Sequence, residues 1–373
     1  MSDFKKLYYA VINNDYNLLY KLIEDYKINV NIKNIYNKTV LYYANDERIV
    51  DLLLNNGAIV DIYLLLFLYD NNKRNIILYI LTNEDRVVYE DDLNNFFREC
   101  MKREDIQFCE ILIDYGVDVN EMYNDICGIP LLIACSTKNI ELVKLLIDHG
   151  ADVNKKYNYD ENVLSYVMSD EYYHVAKFLI ENGAEIDITD FNENTPLTTA
   201  CENKNSLNVV KLLLDNGANI NHKNSDDETG LIIACINNNY NVAKLLINYG
   251  ANLNDDDESN LTALLASCKN NSIDEIIILL ILSGSDINKL DDNGDSAFII
   301  ACKNNNFRIM KILIAAGCYY DLNDNCVKQN ISFINNYLNS NEYVEYYYKL
   351  NIDKSSSIFS NIVLLSDDYL RFR

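Results

Sequence analysis

Ten cysteines, three histidines and a dense set of loop carboxylates are the groups in this 373-residue chain that could do chemistry. Thiols with imidazoles would suggest zinc, or a nucleophile with its base. Carboxylates on their own suggest docking of cations or of basic peptides. Cys135, Cys201, Cys235, Cys268 and Cys302 recur in one sequence context, each just after a small residue or one place beyond it. If they sit on neighbouring packed helices they stand about 10 Å apart, too far to share a zinc ion or a disulfide. No C-x-x-C pair occurs. These cysteines read as buried structural thiols in a reducing compartment. His149 and His222 lie beside loop phrases, and His174 is expected to precede a helix. None pairs with a recurring nucleophile, and no glycine-rich phosphate loop is present. The expectation is therefore no enzyme, no cofactor and no metal.

The carboxylates crowd into five short windows, 155–161, 188–194, 222–228, 255–261 and 289–295. They are Asp160, Glu161, Asp190, Glu193, Asp226, Asp227, Glu228, Asp255, Asp256, Asp257, Glu258, Asp291, Asp292 and Asp295. Against these fourteen acids stand Lys155, Lys156, Lys223 and Lys289, a net of −10 in 35 residues. Asp is a good turn residue, so solvated loops attract it for structural reasons alone. A second reading is that the loops line up, their fields add, and the row from Asp226 through Asp295 docks a basic segment of a partner.

What must position these windows is a repeat. Gly150-Ala151-Asp152-Val153-Asn154 returns as Gly183-Ala184-Glu185-Ile186-Asp187, Gly217-Ala218-Asn219-Ile220-Asn221 and Gly250-Ala251-Asn252-Leu253-Asn254. It returns again as Gly284-Ser285-Asp286-Ile287-Asn288 and Gly317-Cys318-Tyr319-Tyr320-Asp321, in steps of 33 or 34 residues. The same mark stands upstream at Gly57–Asp61 and Gly116–Asn120. A second phrase precedes each mark, as in Ile129-Pro130-Leu131-Leu132-Ile133-Ala134-Cys135 and Thr195-Pro196-Leu197-Thr198-Thr199-Ala200-Cys201. Between the two runs an apolar helix pattern such as Leu142-Val143-Lys144-Leu145-Leu146-Ile147. Thr or Ser caps a first helix and Pro is tolerated in its first turn. The small Ala lets two helices approach, and the second helix ends at a Gly able to take the left-handed conformation. One such unit cannot bury its apolar faces alone, whereas stacked neighbours bury them for each other.

A 33-residue period carrying T-P-L-x-x-A and G-A-D-V-N phrases resembles the ankyrin repeat family. The resemblance covers residues 1–321 and implies an all-α solenoid of helix pairs with projecting β-hairpin loops. It implies about ten repeats, the first three or four degenerate, with residues 322–373 as a degenerate capping unit and tail. Residues 62–120 have room for two units, though only the second ends in the Gly mark. The family's usual His after T-P-L is replaced by Leu132, Thr198, Ile232, Leu265 and Ile299. The Gly common between its two helices is Lys138, Lys204, Asn238, Asn271 or Asn305, of which Asn best tolerates a left-handed turn. By the same resemblance Ser136, Glu202, Ile236, Lys269 and Lys303 face the concave side. They vary from repeat to repeat while the surrounding core positions do not.

With a net charge of −24 the chain is unsuited to phosphate backbones or anionic membranes. The apolar runs stop at seven or eight residues and Met1-Ser2-Asp3-Phe4-Lys5-Lys6 opens no signal-peptide core. A cytosolic or nuclear monomer is expected, acting as a scaffold, adaptor or inhibitor on protein partners. Two alternatives are a ubiquitin-ligase substrate receptor and a purely structural spacer. The first would carry an F-box-like Leu-Pro near its end, yet no proline follows Pro196.

Overall fold

The computed structural model describes residues 2–82, 88–122 and 128–352. Cys127, the serine run 355–357 and the ending 358–373 lie outside the described residues. The chain divides into two compact units, Met1–Asp152 and Val153–Arg373. Each is all-α and is built as a stack of helix pairs, and among the described residues only isolated β-bridges occur.

The first unit holds the pairs Asp3–Ile12 with Tyr16–Glu24, Ile62–Asp70 with Arg74–Leu81, Glu90–Lys102 with Ile106–Asp114, and Pro130–Thr137 with Ile140–Asp148. Between the first two of these pairs a single 3-10 turn, Val40–Tyr43, replaces the first helix before Glu47–Asn55. Residues 62–120 thus form two helix pairs, as their length allows. An aromatic cluster joins them: Tyr69, Phe96 and Phe108 meet edge to face at centroid distances of 5.6–6.0 Å. Asp105 lies beside it, accepting from the Tyr69 hydroxyl at 2.6 Å and from Arg74 at 2.5 Å while capping its own helix at Phe108 N.

The second unit is more regular. Pro196–Glu202, Gly230–Ile236, Ala263–Lys269 and Ala297–Lys303 are the first helices, each packed on the next. They are seven residues long and buried over most of their surface, because each is sandwiched between two neighbours and its own partner helix. Gly230–Ile236 buries every residue from Gly230 to Cys235. Thr195, Thr229, Thr262 and Ser296 cap these helices, each side-chain oxygen accepting from the amide three residues on. Of the second helices, Leu207–Asp215, Tyr240–Asn248 and Asp274–Ser283 bury one stripe, whereas Phe307–Ala315 buries Ile309, Met310 and Ile312 to Ala315. In Leu207–Asp215 that stripe is Val209, Val210, Leu213 and Leu214. Each second helix stops at the Gly of the mark. Gly250 has φ +90° and nothing within 4 Å of where a Cβ would stand, so backbone conformation rather than space requires glycine there.

The turn between paired helices is left-handed at Lys138, Asn238, Asn271 and Asn305, with φ of 51–63°. Lys204 departs from this pattern. Here Asn203 caps the first helix with extended backbone while Ser206 donates to the carbonyls of Ala200 and Asn203. His174 also departs from expectation, falling inside Tyr173–Glu181 rather than before it. After residue 321 come Asn325–Gln329, Ile331–Leu338 and Asn341–Ile352. The last of these packs on Phe307–Ala315, with Lys311 paired to Glu342 at 2.7 Å.

Candidate functional site

The acid-rich windows of the second unit fold into hairpins of one design. In the loop beginning at Asp190, Oδ1 accepts from the amides of Asn192 and Asn194, at 2.9 and 2.8 Å. Asn224 does the same for Asp226 and Glu228, Asp257 for Ser259 and Leu261, and Asp291 for Asn293 and Asp295. In each loop the first amide also donates to the carbonyl four residues on. The fourth residue, namely Glu193, Asp227, Asn260 or Gly294, is left-handed. Short bridges close the hairpins at Lys223–Thr229, Asp256–Thr262 and Leu290–Ser296.

Successive tips are tied to each other through the backbone. Phe191 N donates to Tyr159 O, Ser225 N to Asn192 O, Glu258 N to Asp226 O and Asp292 N to Ser259 O, at 2.9–3.3 Å. The hairpins therefore form one hydrogen-bonded strip from Tyr159 to Asp292. A second set of links runs beneath it, from the last residue of each mark. Asn221 Oδ1 accepts from Asn252 N, Asn254 Oδ1 from Asp286 N, and Asn288 Oδ1 from Tyr319 N, all at 2.8–2.9 Å. The repeating Asn or Asp of the mark was visible in the sequence, but its task of fastening one repeat to the next was not.

These geometries sort the fourteen acids. Asp190, Asp257 and Asp291 build turns. Asp256 receives Lys289 at 2.7 Å and faces Lys223 at 3.8 Å, and these contacts hold its carboxyl below the ordinary range. Asp295 is paired with Lys303, Asp292 accepts from Asn260, and Asp255 accepts from Asn252 at 3.0 Å. Glu228 is half-buried; its pKa is raised by burial first and then by Asp226 and Asp257, against a hydrogen bond from Asn224. The remaining six, Asp160, Glu161, Glu193, Asp226, Asp227 and Glu258, are exposed. Their carboxylates face solvent.

The five helix-face positions lie at or next to the ends of first helices. Ser136 stands in the first unit and returns its hydroxyl to Ile133 O at 2.7 Å. Glu202, Ile236, Lys269 and Lys303 stand in the second unit on Pro196–Glu202, Gly230–Ile236, Ala263–Lys269 and Ala297–Lys303. Lys303 reaches the hairpin of its own repeat through Asp295, so strip and helix face are in contact there. Glu202 has its pKa raised by burial and by Asp190.

The recurring cysteines are packing groups. Cys135, Cys201, Cys235, Cys268 and Cys302 are at most 2% exposed. Burial pushes the Cys235 and Cys302 thiols up to about 12 and raises the other three as well, which removes the thiolate that nucleophilic or metal chemistry needs. Among the described residues no group of three or more His, Cys, Asp or Glu is placed to hold a metal ion, and no helix is long and apolar enough to cross a membrane.

A family model described as "Ankyrin repeats (3 copies)" matches the chain in six overlapping windows that together run from residue 96 to 352. Among solved structures, the crystal structure of the human ASB11 ankyrin repeat domain superposes with a TM-score of 0.52 at 22% sequence identity. It covers 60% of this chain and 99% of that one. No curated protein sequence matches.

Proposed function

The chain belongs to the ankyrin repeat family, a family of protein–protein interaction modules, and from that premise we propose that it is a scaffold or adaptor whose hairpin strip captures a basic segment of a partner protein. The observation that carries the reading is the strip itself. Backbone bonds hold successive tips in register, so the open carboxylates of Asp160, Glu161, Glu193, Asp226, Asp227 and Glu258 add their fields at fixed spacing. Steering of this kind speeds encounter and weakens with salt. The helix-face residues Glu202, Ile236, Lys269 and Lys303 extend the same surface and supply selectivity. We take the acting form to be a cytosolic monomer, with residues 1–321 as the repeat array and the segment after 321 covering its last repeat.

The test uses charge without disturbing the turns. Asp226→Asn, Asp227→Asn and Glu258→Gln are combined in the full chain, leaving Asp256 and Asp257 in place. Binding of a labelled twelve-residue Lys/Arg peptide is measured by fluorescence anisotropy at low and physiological salt. Affinity is expected to fall about fivefold or more at low salt, with the salt dependence flattened. Equal, salt-insensitive binding by both proteins would favour the spacer reading instead.

A further inference from the structure

The sixth helix pair interrupts the pattern of its neighbours. Aligned with the Ala200-Cys201 pair of the next repeat are Val167 and Met168, both buried. These larger side chains occupy the close approach that Ala and Cys allow elsewhere, and the first helix ends after four residues, Val163–Tyr166. The chain then passes through Ser169 into the 3-10 turn Asp170–Tyr172. The early ending leaves an open cavity of about 440 Å³ against the end of Pro196–Glu202.

Its lining is chemically specific. Tyr166 and Tyr172 stand edge to face with centroids 5.9 Å apart, and Met168 adds a polarisable thioether. Glu171 and Glu202 bring two carboxylates. Among the described residues Glu202 has no hydrogen bond or ion pair; its side chain is exposed at the rim of the cavity, where partial desolvation and then the neighbouring Asp190 disfavour its charged form. Ser169 lines the same cavity at 8% exposure, and its buried hydroxyl has no hydrogen-bond partner. An orphaned buried hydroxyl costs free energy and marks a place where a polar group is missing. Aromatic faces, carboxylates and an unpaired hydroxyl together match a flat, multi-donor cation.

We infer that this cavity is the anchoring subsite for an arginine side chain of the partner, its guanidinium lying against Tyr166 and Tyr172 and donating to Glu202 and Ser169. This deepens the proposed capture of a basic segment and rests on that reading. The strip attracts the segment as a whole, and the cavity selects one residue within it. Arginine is favoured over lysine because its planar fork serves several acceptors and stacks on rings, which a compact ammonium does not.

The probe is acetyl-arginine N-methylamide, too short to span the hairpin tips, titrated into the full chain labelled with 13C at its methionine methyls. The five methionines give five signals, and only Met168 lines the cavity. The Met168 signal is expected to move saturably, while the citrulline analogue leaves it still. Glu202→Gln is expected to weaken the effect about fivefold. Ser169→Ala is expected to weaken it about threefold without lowering the unfolding midpoint. A motionless Met168 signal, equal movement with citrulline, or a shift that neither substitution changes would overturn the assignment. The two readings fail separately. Salt-sensitive capture of the twelve-residue peptide with Met168 unmoved keeps the strip and removes the cavity. An arginine-dependent shift in a protein whose peptide binding ignores the hairpin charges does the reverse.

Discussion

The hairpin at Lys33–Lys38 in the first unit and those at Asn224–Glu228 and Asp257–Leu261 in the second share one backbone and differ in everything they show to solvent. Asn34 Oδ1 accepts from Tyr36 N and Lys38 N, Asn34 N donates to Lys38 O, and Asn37 is left-handed at φ 61°. Those are the bonds and the twist of the acidic loops. Yet the first hairpin carries Lys33, Ile35, Tyr36 and Lys38, with Ile35 91% and Tyr36 73% exposed. Lys38 lies 3.6 Å over the Phe67 ring. One carboxylate or amide at the first loop position is therefore architecture, whatever else the loop does, and only the residues beyond it are free to differ between hairpins. Subtracting the architecture from the acidic row leaves a smaller and sharper surface than composition suggests.

The strongest way to break this comparison is to remove the turn builder. Asp257→Ala leaves two loop amides without their acceptor and is expected to cost about 2 kcal/mol, read as a lowered urea midpoint. Asp257→Asn is expected to stay within about 0.5 kcal/mol of wild type, because Asn34 and Asn224 already do the same job. Equal damage from Ala and Asn would mean that the charge at 257, rather than its acceptor geometry, is what the loop needs.

On the other side of the comparison, Lys38→Met keeps much of the side-chain length and removes the cation over Phe67. The expected loss is about 0.5–1 kcal/mol of stability, with binding of basic peptides unaltered. A gain in basic-peptide affinity would show that the two hairpins act on the same ligand.

The smallest effect concerns titration, and its sign separates two acids of neighbouring loops. Glu228 has a raised folded pKa, so its contribution to stability is present below the ordinary carboxylate range and is lost as pH rises through the raised value. Glu228→Gln should then stabilise the protein by about 0.3 kcal/mol at pH 7, discounted for its partial exposure, and by nothing below about pH 4. Asp256, with its pKa lowered by Lys289, behaves oppositely. Its contribution is present above the ordinary range and is lost as pH falls through the depressed value, so Asp256→Asn should destabilise at pH 7 and converge with wild type in acid. Thermal unfolding across pH 3–8 checks both signs.

Much of this is legible in the sequence. The period, the Thr and Ser caps, the glycine stops and the buried thiols follow from residue type at fixed spacing, because caps and left-handed turns are local chemistry. The degenerate stretch 62–120 was readable only as length, since its packing rests on Tyr69, Phe96, Phe108, Arg74 and Asp105, whose contacts span up to 39 residues. The loop acids were legible as a row but not as two classes. Asp226 and Asp256 look alike in sequence, and the lysines 33 residues to either side of Asp256, Lys223 and Lys289, make them different.

By itself, then, the sequence determined the repeat, the helix pairs and the family, because each repeat writes its own caps, stripes and stops within about 33 residues. The tertiary structure decided which carboxylates remain open, how the tips are joined, and that a cavity opens where the helix Val163–Tyr166 ends. Those outcomes depend on what the neighbouring repeat brings to the same point in space. A bond between Asn221 and Asn252, or between Asp256 and Lys289, is set by stacking one repeat on the next.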